Sequence, residues 1–103
     1  MPVTFVTRES LAVNITTVDL DILVDAITLH NDILIAQIIN KSVTANPVTP
    51  PSGWTEVIAT EVNDCALAAD DHQYSLYWKR AVAADAGAAH RFTKTTDDNV
   101  LFA

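Results

Sequence analysis

Asp32-Ile33-Leu34-Ile35-Ala36-Gln37-Ile38-Ile39 is the stretch on which the fold turns. It is a short, almost unbroken apolar run with repeated β-branched isoleucine, a composition that suits a pleated strand. Because successive strand residues point to opposite faces, an apolar run without alternation puts hydrophobic side chains on both faces. The expectation is a central strand, from Ile33 to Ile39, covered on both sides.

Outward from this run the chain alternates. Leu11, Val13 and Ile15 recur at a spacing of two, as do Val3 and Phe5, and as do Val18, Leu20 and Ile22 with Asp19 and Asp21 between them. That period marks strands with one buried and one wet face. Leu23 to Leu29 reads as a strand end and a connection. From Lys41 to Gly53 the composition turns to Ser, Thr, Asn and Pro. Asn46-Pro47 and Pro50-Pro51 remove backbone donors and disfavour helix before each ring, which predicts a rigid, extended loop. Ser52-Gly53 supplies a corner where a positive φ is tolerated.

Trp54 to Val62 resumes strand character, Asn63 to Gln73 is a second loop, and Tyr74 to Arg80 is the next strand. In that strand Tyr74, Leu76 and Trp78 share one face while Tyr77 and Lys79 take the other, and one of the two faces must be core. Ala81 to Gly87 is a small-residue connection with room for a turn of helix. His90 to Thr95 and Asn99 to Ala103 follow as strands. No period of twenty to fifty residues repeats, which excludes a solenoid. The expected class is all-β: an antiparallel two-sheet β-sandwich, one domain over residues 1–103. Pro50, Pro51, Gly53, Trp54 and Trp78 are the candidate core and corner residues, with Trp54 plugging one end.

A chain of 103 residues buries roughly 65% of its unfolded surface, enough for a single core. Half of the residues are apolar and 18% are charged, a balance that folds. Thirteen acidic against six basic residues give a net charge of −7. Arg8, Lys41, Lys79, Arg80, Arg91 and Lys94 are scattered, so neither nucleic acid nor an anionic membrane is an expected partner. Cys65 is the only cysteine, so the fold rests on its core without an intrachain disulfide. The N-terminal residues lack the basic and apolar regions of a secretory signal. Asp19, Asp21, Asp25 and Asp32 interrupt each apolar run before it could span a bilayer, so the expectation is a soluble chain made in a cytoplasm.

The chemistry-bearing residues form no catalytic pattern. Asp64, Asp70 and Asp71 with His72 match no calcium loop, and Asp97-Asp98 is a turn pair. His30, His72 and His90 fall in separate elements without zinc spacing, and each reads as a polar surface or loop residue. Ser52 and Cys65 lack the surrounding motif of a nucleophile, and two glycines, Gly53 and Gly87, cannot make a phosphate cradle. The expectation is a non-enzyme with no catalytic, cofactor or metal site. An aromatic platform for sugars could be built from Trp54, Tyr74, Tyr77 and Trp78, although aromatics in a small sandwich more often pack than bind. The last strand, Val100, Leu101 and Phe102, reads as an apolar sheet edge open to pairing with another copy.

Asp32-Ile33-Leu34-Ile35-Ala36, Thr49-Pro50-Pro51-Ser52-Gly53-Trp54, Tyr74-Ser75-Leu76-Tyr77-Trp78-Lys79-Arg80-Ala81 and His90-Arg91-Phe92-Thr93 together resemble a jelly-roll-like β-sandwich module of tailed-bacteriophage virion proteins. The resemblance covers about two thirds of the chain in the same order, and the proline-glycine-tryptophan corner is its most specific part. His90-Arg91 departs from the aromatic-led start usual in the last of these strands, and such modules are often longer, so the resemblance implies a jelly-roll-like sandwich that is incomplete in itself and completed by oligomerisation. The resemblance implies a virion subunit of tail, fibre or capsid decoration. Its partners would be copies of itself, trimers above all, and other virion proteins. The alternative is a carbohydrate or host-surface binding module.

Overall fold

The computed structural model describes residues 12–13, 19–41, 47–63, 72–94 and 101–102. Eight strands appear in it: β1 (Ala12–Val13), β2 (Asp19–Leu23), β3 (Ile33–Lys41), β4 (Val48–Thr49), β5 (Thr55–Asn63), β6 (His72–Arg80), β7 (Ala89–Lys94) and β8 (Leu101–Phe102). A 3-10 turn, Ala83–Asp85, sits between β6 and β7. The strands form two antiparallel sheets, a five-stranded sheet A in the order β1-β8-β3-β6-β5 and a three-stranded sheet B in the order β2-β7-β4.

The pairing is nested. β1 pairs with β8, β2 with β7 and β3 with β6, so the chain folds back on itself as one long hairpin wound into two sheets. The series breaks at the middle: β4 pairs with β7, and β5 with β6. Between Thr49 and Thr55 lie Pro50 and Pro51, which offer no backbone donors to a ladder, and here the chain crosses from sheet B to sheet A. Gly53 turns this corner at φ 90, in the left-handed region that disfavours side chains.

The core lies between the sheets. Ala36, Ile38 and Tyr77 from sheet A meet Leu20, Val48 and Phe92 from sheet B, with Ile22 and Trp54 packed against them. Tyr77 is fully buried, its ring tilted against Phe92 at 5.4 Å, and its hydroxyl donates to the Val48 carbonyl at 2.9 Å. That bond satisfies the phenol and ties the two sheets together. Complete burial of a side chain the size of Phe92 stabilises the fold by about 1.5–3 kcal/mol.

Three expectations need correction. β3 is central, but only one of its faces is covered: Ala36 and Ile38 enter the core while Ile33 and Ile35 are exposed. The reason is that sheet B lies on one side of sheet A and no described residue lies on the other. The extended loop from Lys41 to Gly53 contains β4, which takes up pairing with β7 at Val48↔Lys94 and Thr49↔Thr93. Leu101 and Phe102 do form the last strand, but β8 runs between β1 and β3 and is not a sheet edge; the nested pairing puts the two-residue β1 outside it. Val100 and the strand read at Val3 and Phe5 lie outside the described residues.

Candidate functional site

Three connections meet at one end of the fold. The strand registers Leu23↔Ala89, Ile33↔Arg80 and Thr55↔Trp78 bring together the β2–β3 connection, the Pro50–Trp54 corner and the β6–β7 connection. The first of these is fixed by its own aspartates: Asp25 Oδ1 accepts from the Ile27 amide at 2.9 Å, and Asp32 Oδ2 from the Leu29 amide at 2.8 Å. Such turns are what short polar side chains do well. Asn31, at φ 76, then leads into an extension of the β3–β6 ladder through Asn31 N–H to Ala81 O and Ala81 N–H to Asp32 O.

Beneath these connections four side chains close the core. Lys79 has the same strand parity as Tyr77, and His90 the same as Phe92, so both start on the inward faces of their sheets. The Trp54 indole N–H donates to His90 Nδ1 at 3.1 Å, and the ring meets His90 and Phe92 edge-on at 5.5 and 5.2 Å. Asp85, on the 3-10 turn, accepts from Lys79 Nζ at 2.7 Å through Oδ1 and from the Val82 amide at 2.8 Å through Oδ2. His90 Nε2 lies 3.2 Å from Asp85 Oδ1, close enough for charge attraction but not aligned as a hydrogen bond. Since Nδ1 accepts the indole proton, the neutral imidazole carries its own proton on Nε2.

The electrostatics follow from burial. Desolvation, the largest influence on Asp85, pushes its pKa up, but the Lys79 and Val82 hydrogen bonds and the nearby cations together hold it below the ordinary carboxylate value. For His90, burial is again the largest influence and lowers the pKa; the Asp85 charge opposes this and the Lys79 charge adds to it, leaving the ring easier to deprotonate than a free histidine.

The two outer faces differ. On sheet B, Arg91 projects outward one residue after His90, donating from Nε to Asp21 Oδ1 at 2.7 Å and from a terminal nitrogen to Asp21 Oδ2 at 2.8 Å, with Asp19 Oδ2 3.5 Å away. This fork holds the exposed Asp21 below its ordinary pKa, chiefly through the hydrogen bond, and raises that of Arg91. On sheet A the outward positions of β3 and β6 pair as Ile33↔Arg80, Ile35↔Trp78, Gln37↔Leu76 and Ile39↔Tyr74. Ile35 is 69% exposed and Trp78 38%, with Val57 exposed on neighbouring β5. This is an apolar sheet face open to solvent among the described residues.

Trp54 is where the sequence put it, at the end of the core behind the proline corner, with Pro50 and Pro51 partly buried beside it. Trp78 is not a core residue: its strand turns the Tyr77 face inward. That choice also dismantles the aromatic platform, because Tyr77 is buried and Trp54 is held by His90 and Phe92. His90 is no surface histidine but part of the buried end. His30 is exposed on its loop and His72 opens β6. Asp64, Cys65, Asp70, Asp71, Asp97 and Asp98 lie outside the described residues. Among the described residues no three metal-ligating side chains gather, and no helix is long and apolar enough to cross a membrane. Compared with protein families, curated proteins and solved structures, the chain matches none.

Proposed function

We propose that this chain is a non-enzymatic structural subunit of a tailed-phage virion, acting through contacts with its own copies and with neighbouring virion proteins. The observation that carries the reading is the open apolar face of sheet A, formed by Ile33, Ile35, Val57 and Trp78 on a chain of net charge −7. A single soluble domain gains nothing from exposing such a face, whereas a subunit buries it on assembly. Among the described strands, the nested pairing of β1 with β8, β2 with β7 and β3 with β6 is what a jelly-roll-like winding would give, although β4 and β5 depart from it, and it supports the resemblance read from the corner and strand motifs.

Light scattering across a dilution series tests self-assembly. The expected result is an oligomer, with a trimer the favoured state, that Ile35→Lys converts to a folded monomer. A native chain that is monomeric at every concentration overturns the self-assembly part. Detection of the chain in purified particles of the phage or prophage that encodes it tests the virion part, and consistent absence from them overturns it. One observation favours a second reading, a carbohydrate-binding module: Trp78 stands exposed on the outer face of sheet A. Sugars that dock there would change tryptophan fluorescence, and Trp78→Phe would abolish the change.

A further inference from the structure

We propose that His90 is a pH-operated latch on the Pro50–Trp54 corner: a second proton entering the imidazole at Nδ1 breaks the Trp54–His90 hydrogen bond and releases the corner that carries the chain between the two sheets. The latch stands apart from the assembly reading and does not depend on it.

The chemistry is one of donors and acceptors. In the neutral ring Nδ1 holds a lone pair, and the Trp54 indole N–H points at it from 3.1 Å. Indole nitrogen is a donor only, and an imidazolium is a donor at both nitrogens. Once protonated, Nδ1–H and Nε1–H face each other at that distance and one ring must leave. His90 is the less free of the two. Its backbone is held in β7 opposite Ile22, and its other nitrogen faces the Asp85 carboxylate at 3.2 Å, an attraction that grows when the ring is charged. Trp54 instead is the last residue of a five-residue corner that contributes no strand pairing.

The groups around the ring set the direction of the response. Asp85 from the 3-10 turn favours the proton and Lys79 from β6 disfavours it. The corner contributes Trp54, and β2 contributes Ile22, which is apolar. Burial decides the balance, so the ring stays neutral and the latch closed through neutral pH. Opening withdraws Trp54 from Phe92, which it touches edge-on, and bares the margin of the core.

The test is a nitrogen-proton NMR titration of the full chain from about pH 7.5 to pH 5, above the ordinary carboxylate range. Trp78→Phe, at an exposed position, leaves Trp54 as the single indole signal. The expected result is a shift of the Trp54 indole resonance with the same midpoint as the His90 ring, below the ordinary histidine value, and an accompanying change in fluorescence. His90→Gln keeps an acceptor for Trp54 but cannot titrate, so its indole signal should stay constant. A Trp54 resonance that stays fixed while His90 titrates overturns the latch, as does a Trp54 transition that survives in His90→Gln. If that variant does not fold, agreement or disagreement of the two midpoints in the native His90 chain decides the matter alone.

Discussion

Two ion pairs in this molecule have the same shortest distance and different consequences. Lys79 Nζ meets Asp85 at 2.7 Å at the closed end of the core, where the side chains are 14% and 6% exposed; Arg91 Nε meets Asp21 at 2.7 Å on the outer face of sheet B, where they are 58% and 47% exposed. Arg91 even has the better geometry, a two-pronged fork. Yet water can replace either partner of the outer pair at little cost, while Lys79 or Asp85 left alone is a charge with few routes to water. Distance records how well two groups fit; burial sets what their separation costs.

The largest effect expected from breaking this comparison is at Asp85. Asp85→Ala strands the Lys79 ammonium and leaves the Val82 amide without its acceptor. The expected loss is about 3 kcal/mol, at the low end for a broken buried pair because the Lys79 side chain keeps 14% of its surface exposed. A urea titration measures it, and a loss no larger than that of an exposed substitution would show that the end of the core is wet.

Acid should dismantle the same end in two steps. His90 has a lowered folded pKa, so the unfolded chain takes its proton first; the stability it contributes is complete above the ordinary histidine value of about 6.5 and is lost as the pH falls toward the folded value. Asp85 is also lowered, and its contribution is complete above the ordinary carboxylate value of about 4 and is lost as the pH falls through the folded value. Urea midpoints measured at successive pH values should therefore fall twice. His90→Gln removes the upper step and Asp85→Asn the lower one.

Lys79→Met sharpens the comparison further. Methionine fills much of the volume of the lysine stem, and Asp85 keeps the Val82 amide and the neighbouring imidazole, so the loss should be smaller than for Asp85→Ala, about 1–2 kcal/mol. With the Lys79 charge gone, one of the influences that lowers the His90 pKa disappears. The His90 midpoint should move upward in an NMR titration. A midpoint that does not move would mean that burial alone governs the ring.

Much of this fold is legible in the sequence because it is carried by period and turn chemistry. The spacing of Leu20 and Ile22 marks β2, Ile33 to Ile39 marks β3, and Pro50 to Gly53 marks the corner. Alternation in Tyr74 to Arg80 separates the Tyr77 face from the Trp78 face, but it carries no sign that says which is core; that is decided by where sheet B packs. β4 is hidden because two residues are too few for a period. The place of β8 is hidden because pairing between chain ends is non-local. Lys79 and His90 are one parity step from the core in sequence, yet Asp85 joins them only through the turn between β6 and β7, a contact no local pattern encodes.

The smallest effect is expected from the pair that looks best in outline. Arg91→Ala removes the fork to Asp21 and the contact to Asp19 on sheet B. All three groups are solvated, so each is rehydrated when the pair is lost, and the change in stability should lie near the limit of detection. What remains of it should fade as salt rises, since exposed charges are screened over a few ångströms. The Asp85 loss should persist in the same salt series, because the ions that screen Asp21 do not reach the end of the core. Denaturation of the two variants at low and high salt therefore separates the pairs by environment, and equal salt sensitivity would sink the distinction.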